Sequence, residues 1–338
     1  MEVARVENKM NIPLTSAELS ALWTQYMNDT LATCVNRYFL EKVEDEEVRP
    51  IIEWTLDTAK ENVSIMQDIF RKENFPIPIG FTDQDVNITA SKLFSDTYKL
   101  MYLRHMSIIA LGAGGSALGL ATREDTVTFF KRILEKAVHL QDLTRDLMLK
   151  QGTYVKPPVL SLPDKVEFVE TKQYLAGFFS KKRALTSVEV THLFYNIQTN
   201  AIGKALIIGF AQTAESKETK DFFKRGKEIA QKHIDIFSTF LHDEDLPIPM
   251  SWDATVSDST ENIFSDKLLM FHVMAMIASG VGFYGAAMAA SPRRDLGLKY
   301  ATLIPEISLY LEDGANLMIK NGWMEEPPQA INRDGLIK

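Results

Sequence analysis

The amino-acid sequence contains the same unit twice, and this repeat constrains the fold more than any other feature. LTSAEL at 14–19 returns as LTSVEV at 185–190, and FPIPIGF at 75–81 returns as LPIPMSW at 246–252, both at an offset of 171 residues. Three further landmarks keep the register after a one-residue deletion: FSD at 94–96 and 264–266, Arg123 and Arg293, and Pro-Pro at 157–158 and 327–328. The chain is therefore a tandem duplication of a unit of about 150 residues.

Each copy has the pattern of four long helices. A T-x-x-E capping box opens the first helix of each copy, with Thr15 and Glu18 in one and Thr186 and Glu189 in the other. Apolar residues then recur at helical spacing, and Pro-x-Pro segments end the second helices. A long crossover leads to the third helix, whereas the other connections are short. This pattern predicts a four-helix bundle with the connectivity of ferritin-like folds.

The fold prediction is therefore an all-α protein of two tandem ferritin-like bundles. The first bundle spans 1–162, a linker spans 163–184, and the second bundle spans 185–338. No stretch alternates convincingly with the period of a strand, and the nearest, KVEFVE at 165–170, lies in the linker.

The third helices, at 100–121 and 268–290, are apolar on almost every face and rich in glycine. Such a helix is buried either in a protein core or in lipid. The first one carries Arg104 and His105, which are costly in lipid, so we expect no membrane insertion. Each glycine weakens an isolated helix by up to ~1 kcal/mol relative to alanine, and close helix approach would offset that loss. We expect the bundles to pack through these Gly-rich helices; helices bent at the glycines are the alternative.

Composition excludes some classes of partner. The formal net charge is −8, which argues against nucleic acid and against an anionic membrane surface. Cys34 is the single cysteine, so neither an intramolecular disulfide nor a thiolate metal cage is expected. The polar start of the chain lacks the pattern of a signal peptide, and a cytoplasmic location is the expectation.

The duplication, the LTS-x-E openings, the Pro-Ile-Pro crossovers and the Gly-rich third helices together resemble the domain-of-unknown-function 3231 family. Members of this family come from spore-forming Gram-positive bacteria, and the architecture is distantly similar to spore coat protein F. The resemblance covers nearly the whole chain and implies tandem ferritin-like bundles. It implies no established activity and no catalytic residue, and a role in sporulation or stress follows from it only by association.

The metal-binding pattern of ferritin-like oxidases is absent. The only E-x-x-H, at 189–192, lies in a first helical turn where Glu189 has a capping role, so standard di-iron chemistry is not expected. A weaker candidate lies in the second copy, where His233 and His272 combine with Glu228 or Glu306 to hold one divalent metal ion. The alternative is that both histidines are buried and hydrogen-bonded to neighbours.

The leading functional hypothesis is a non-enzymatic structural or interaction protein, whose partner is another protein or a second copy of itself. Under this hypothesis the protein needs no cofactor and no catalytic residue, and its role is associated with spores or stress. The alternative is a bundle that binds a metal or a small ligand at a single site in the second copy. In the first copy Asn62 and Tyr102 occupy the positions of His233 and His272. A carrier of an apolar ligand between the bundles is a third hypothesis, which requires a cavity.

Overall fold

The structure is a computed structural model that describes residues 12–178, 182–333 and 336–337. The described residues form eight α-helices in two sets of four. The first set is α1 (Ser16–Glu41), α2 (Arg49–Lys72), α3 (Asp96–Leu120) and α4 (Glu124–Lys150). The second set is α5 (Ser187–Thr213), α6 (Lys217–His242), α7 (Asp266–Ala290) and α8 (Arg294–Lys320). The prediction of an all-α chain with two tandem helical bundles is confirmed.

Glu18 and Glu189 complete the predicted capping boxes and also hold the turn between the third and fourth helices. Glu18 Oε1 accepts hydrogen bonds from the backbone N–H groups of Thr122 and Arg123, both at 2.8 Å. Glu189 accepts the equivalent bond from Arg293 N at 3.2 Å. Each buried carboxylate therefore fixes one end of its bundle, because it joins the start of the first helix to the α3–α4 or α7–α8 turn.

Asp96 and Asp266 fix the turn between the first and second helices. Asp96 Oδ2 accepts from the backbone N–H groups of residues 44–45, both at 2.9 Å. Asp266 accepts from those of residues 215–216 at 2.8 and 2.9 Å. Asp96 and Asp266 therefore have a structural role, since each joins the start of a third helix to the connection between the first and second helices of its repeat.

The long crossover segments of the two repeats pair with each other. Asn87 N donates to Ile263 O over 2.7 Å, and Ser257 N, at the equivalent position, donates to Leu93 O over 2.8 Å. A second reciprocal pair joins Ser95 N to Thr255 O and Ser265 N to Asp85 O. Because each bond has its counterpart in the other repeat, an approximate twofold axis relates the two bundles.

The two Gly-rich helices contact each other through side chains and not through their glycines. Tyr102 of α3 hydrogen-bonds His272 of α7, and the His105 ring packs against Phe283. A Cβ added at six of the glycines would meet no atom within 4 Å: Gly112, Gly115, Gly119, Gly280, Gly282 and Gly285. The predicted packing through close backbone approach is therefore wrong in this detail, because large side chains keep the helices apart.

Much of the surface along these helices is open. The exposed residues include Gly112, Ala113 and Gly115 on α3, and Ala278 and Gly282 on α7. By length and composition α7 could cross a membrane, since its most apolar 18 residues have a mean hydropathy of 1.6. In the structure 33% of these 18 residues are buried. Within the described residues α7 is the one helix that is long and apolar enough to cross a membrane. Core helices of soluble proteins can have the same length and hydropathy. The sequence therefore predicted more complete burial of these helices than the structure has.

Candidate functional site

The first repeat contains a cavity of about 650 Å³. Its walls come from α1, α2, α3 and α4, with α7 and the segment after α8 closing one side. Three of the four tryptophans of the chain line it: Trp23, Trp54 and Trp323. Small-molecule sites commonly have volumes of ~300–1,000 Å³ and mostly apolar walls, so this cavity has the dimensions of a ligand site.

At the equivalent position inside the second repeat larger side chains fill the space, although an open groove of about 480 Å³ lies between α6 and α8 among mostly charged side chains. Tyr284, Ile307 and Tyr310 occupy the positions of Gly114, Ala137 and Leu140, and the space left among them is about 90 Å³. The large tyrosines are well packed in the second repeat: Tyr310 stacks on Phe222 at a centroid distance of 4.2 Å, and Tyr284 contacts Phe237 and Tyr300.

Helix spacing adds to the difference between the repeats. The helices α5 and α7 pack more closely than their counterparts α1 and α3, between which the cavity extends. Among the described residues the ligand-sized space inside the bundle therefore lies in the first repeat, and the groove of the second repeat is an open one between α6 and α8.

Asp29 is an acidic side chain buried in the cavity wall, where it is 7% exposed. Gln25 Nε2 donates to Asp29 Oδ2 over 2.9 Å. Burial raises the pKa of Asp29 to about 7, and the hydrogen bonds from Gln25 and Asn62 offset this rise in part. A carboxyl group of this kind changes its charge near neutral pH, and its charged form has a strong need for a hydrogen-bond donor.

Three other buried residues of the wall carry polar atoms without a hydrogen-bond partner. These atoms are Asn36 Oδ1, Asn62 Oδ1 and His272 Nδ1. An unsatisfied buried polar atom typically destabilises a protein by about 1–3 kcal/mol. Such atoms in the wall of a cavity are therefore candidates for bonds to an occupant.

His272 lies where the cavity meets the boundary between the repeats. Its Nε2 is 2.9 Å from Tyr102 Oη, and its ring is packed against Phe210. Burial lowers the pKa of His272 to about 3, so the ring is neutral at physiological pH. A neutral imidazole offers one donor and one acceptor, and one of the two has no partner here.

In the second repeat a chain of hydrogen bonds occupies the position of the cavity. Glu306 Oε2 is 3.1 Å from His233 Nε2, and His233 Nδ1 is 2.9 Å from Tyr284 Oη. Because a carboxylate only accepts, His233 Nε2 carries the hydrogen, and Nδ1 accepts from the tyrosine hydroxyl. Asn200 Nδ2 donates to Tyr284 Oη over 2.7 Å and completes the network. The groups of this network therefore satisfy one another.

The structure brings two of the four candidate metal ligands together. His233 contacts Glu306, whose carboxylate is also paired with Lys232 at 2.8 Å. His272 bonds to Tyr102 instead, and Glu228 is exposed to solvent. Across the described residues no group of three or more His, Cys, Asp or Glu side chains is arranged to hold a metal ion. Metal binding at these residues stays a prediction.

Sequence reasoning missed Asp29, Asn36 and the cavity. The signal was present in the alignment of the two repeats, in which Asp29 replaces Asn200 and the small Gly114 and Ala137 replace Tyr284 and Ile307. Each substitution is unremarkable alone. Only the bundle geometry shows that they line or border the same space.

The chain is similar in structure to a protein of Bacillus halodurans C-125 that is provisionally assigned to the spore coat. The identity is 18%, the match covers 44% of this chain and 97% of that chain, and the TM-score is 0.40. No curated protein matches the chain significantly. The model of the family described as protein of unknown function (DUF3231) matches residues 5–166 and 173–336. Since these two matches cover nearly the whole chain, the protein belongs to the DUF3231 family and contains its domain twice.

Proposed function

We propose that this protein binds a small, largely apolar molecule in the cavity of its first repeat. The observation that carries the proposal is a ligand-sized space, about 650 Å³, whose wall contains buried polar atoms without partners. The space is partly open to solvent, since the exposed Thr24 and Ala113 belong to its lining, and a small molecule can therefore enter it. The walls supply apolar contact, and the polar atoms supply orientation.

This proposal changes the location of the ligand site that the sequence suggested. The sequence placed the alternative site in the second repeat, around His233 and His272. The remaining space there is about 90 Å³, and the polar groups around Tyr284 already bond to one another. The first repeat has both the space and the unsatisfied groups.

Binding of an uncharged fluorescent probe, N-phenyl-1-naphthylamine, tests the proposal. We expect saturable binding of one probe per chain, accompanied by a change in tryptophan fluorescence because Trp23, Trp54 and Trp323 line the cavity. Ala137→Phe places a ring in the cavity and is expected to weaken binding at least about tenfold. Val138→Phe places the same ring on the exposed side of α4 and serves as the matched control.

Two results would count against the cavity as the site. One is the absence of saturable binding to the unaltered protein. The other is equal loss of binding in Ala137→Phe and Val138→Phe, since a surface substitution cannot occupy the cavity.

A second candidate function is self-association, the leading type of role that the sequence suggested. It is favoured by the exposed small residues along α3 and α7, including Gly112, Gly115 and Gly282, above which there is open space. Sedimentation over a range of protein concentrations tests it. A dimer that is lost when Gly115 is replaced by Lys supports this role, whereas a monomer at all concentrations opposes it. An association with sporulation or stress stays a prediction from the family resemblance.

A further inference from the structure

The environment of Asp29 differs from that of every other buried acidic side chain in the described residues. The buried acidic side chains of the described residues are Glu18, Asp29, Glu189, Asp266 and Asp295. The other four accept hydrogen bonds from backbone N–H groups, and two of them are also paired with arginine. Asp29 accepts from the uncharged side-chain amides of Gln25 and Asn62, and in the described part of the chain no cationic side chain lies within ion-pair distance of it. Its charge therefore lacks the compensation that the other four have.

The other ionisable side chains of the cavity do not supply this compensation. Lys136 is partly exposed, and its Nζ lies 5.1 Å from the centre of the Trp54 ring. Glu325 is partly exposed and accepts from backbone N–H groups of residues 79–80 at 2.9 and 2.7 Å. His272 is neutral because of its burial. Asp29 is thus the buried side chain of the wall that can be charged at neutral pH.

The second repeat shows which group the first repeat lacks. There, Asn200 and His233 both bond to the hydroxyl of Tyr284. The equivalent residues of the first repeat are Asp29 and Asn62, and Gly114 stands at the position of the tyrosine. The first repeat therefore has no third side chain at this position: the Asn62 amide group donates to the Asp29 carboxylate, and the groups left for an occupant, the carboxylate and the unpartnered Asn62 Oδ1, are acceptors.

A hydrogen-bond donor with a positive charge complements this pair of acceptors. An ammonium group has three N–H donors and no acceptor. Its bond to a carboxylate is charge-assisted and roughly twice as strong as a neutral hydrogen bond. An alcohol offers a single donor, and a carboxylate ligand would be repelled by Asp29.

Resting on the proposed function, we infer that the occupant is an organic amine in its protonated form. Its ammonium group donates to Asp29 and to Asn62 Oδ1, and its apolar body fills the remainder of the cavity. No covalent step is involved, since the site offers ion pairing and apolar contact.

Calorimetry with three probes that share one carbon chain tests this inference: n-octylamine, n-octanol and octanoate. The full-length protein is titrated at about pH 8, where Asp29, with a pKa of about 7, is largely ionised. We expect the amine to bind at least about tenfold more tightly than the alcohol, and octanoate to bind most weakly. Asp29→Asn introduces the residue of the second repeat and is expected to remove the preference for the amine while the alcohol still binds. Asp57→Asn, on the exposed side of α2, makes the same change in net charge and is expected to retain the preference.

The outcomes separate this inference from the proposed function. If the alcohol binds as tightly as the amine, or if Asp29→Asn retains the preference, the amine assignment fails and the cavity remains a binding site. If N-phenyl-1-naphthylamine binds and none of the three octyl probes does, the amine assignment also fails. If neither the dye nor any octyl probe binds, both proposals fail.

Discussion

Tyr102 and His272 occupy the same position in the two repeats, and they hydrogen-bond to each other, with 2.9 Å between Tyr102 Oη and His272 Nε2. Two equivalent residues can meet only where the axis that relates the repeats passes between them. The reciprocal backbone bonds of the crossover segments obey the same symmetry. The two repeats have therefore diverged in sequence at the axis that relates them, since one supplies a phenol there and the other an imidazole. The partner of His272 is consequently its counterpart in the first repeat.

Removing the Tyr102 hydroxyl is expected to destabilise the contact between the bundles. Tyr102→Phe leaves both nitrogens of His272 without a partner, and we expect the free energy of unfolding to fall by about 1–3 kcal/mol. Urea unfolding measures the change. In a double-mutant cycle with His272→Phe, the double variant should lose less than the sum of the two single variants, because neither unsatisfied group remains. Additive losses would show that the bond makes no net contribution.

Asp29→Asn is expected to stabilise the ligand-free protein at neutral and higher pH. The pKa of Asp29 is about 7 in the folded chain, compared with 3.8 for an unperturbed carboxyl group. Because the folded state holds this proton more tightly, the contribution of Asp29 to stability is fully present below pH ~4 and is lost as the pH rises to ~7. The variant should therefore gain on the order of 2 kcal/mol over the parent at pH ~8 and much less at pH ~4.

Chemical unfolding at several pH values checks this dependence on Asp29. Asp57→Asn, at an exposed position, is expected to show no such trend relative to the parent. A constant difference between Asp29→Asn and the parent across this pH range would contradict the assignment of a raised pKa. Stabilisation together with loss of amine binding would identify Asp29 as a binding residue kept at the expense of stability.

Glu18→Gln is expected to weaken the end of the first bundle. Burial raises the pKa of Glu18, but hydrogen bonds from the backbone N–H groups of Arg123 and Thr122 outweigh this effect and lower its pKa well below the usual value. The stabilisation by Glu18 is therefore present above the unfolded pKa, near 4.5, and is lost as the pH falls below it. We expect a loss of about 2–4 kcal/mol at pH ~7, because an uncharged amide cannot accept all of these bonds equally well.

Thermal unfolding as a function of pH measures the effect of Glu18. The deficit of Glu18→Gln relative to the parent should shrink on acidification. Glu53→Gln, at an exposed position of α2, provides the control and should unfold like the parent. A deficit that is independent of pH would mean that packing and not charge explains the role of Glu18.

Replacing glycine by alanine separates glycines that permit close contact from those that do not. Gly115 has no atom within 4 Å of an added Cβ, so Gly115→Ala should stabilise the protein by up to about 1 kcal/mol through helix propensity. At Gly209 an added Cβ would lie 2.8 Å from the Phe94 ring and 2.9 Å from Leu93, so Gly209→Ala should destabilise it by about 1–3 kcal/mol. Calorimetric melting compares the two variants. A loss of stability in Gly115→Ala would indicate that another surface covers this face in solution.

The sequence by itself determined the duplication, the helices and many of their ends. Helix starts and stops depend on residues within one or two turns, as in the capping box of Thr15 and Glu18. Gly152 and Gly322 follow the last helix of each repeat with φ of 68°, as their positions suggested, because glycine tolerates the left-handed conformation that ends a helix. These features are local, and a repeated local pattern is visible without coordinates.

The tertiary structure alone decided how the bundles meet and where a ligand fits. The apolarity of α3 and α7 predicted burial, but it could not show that Tyr102 and His272 would hold the helices apart and leave Gly115 and Gly282 open. A cavity arises from the sum of several small differences in volume and helix spacing, contributed by residues far apart in the chain. For the same reason, the sequence did not distinguish Asp29 from other polar residues of α1, and only the packing of the surrounding helices shows that it is buried in the cavity wall.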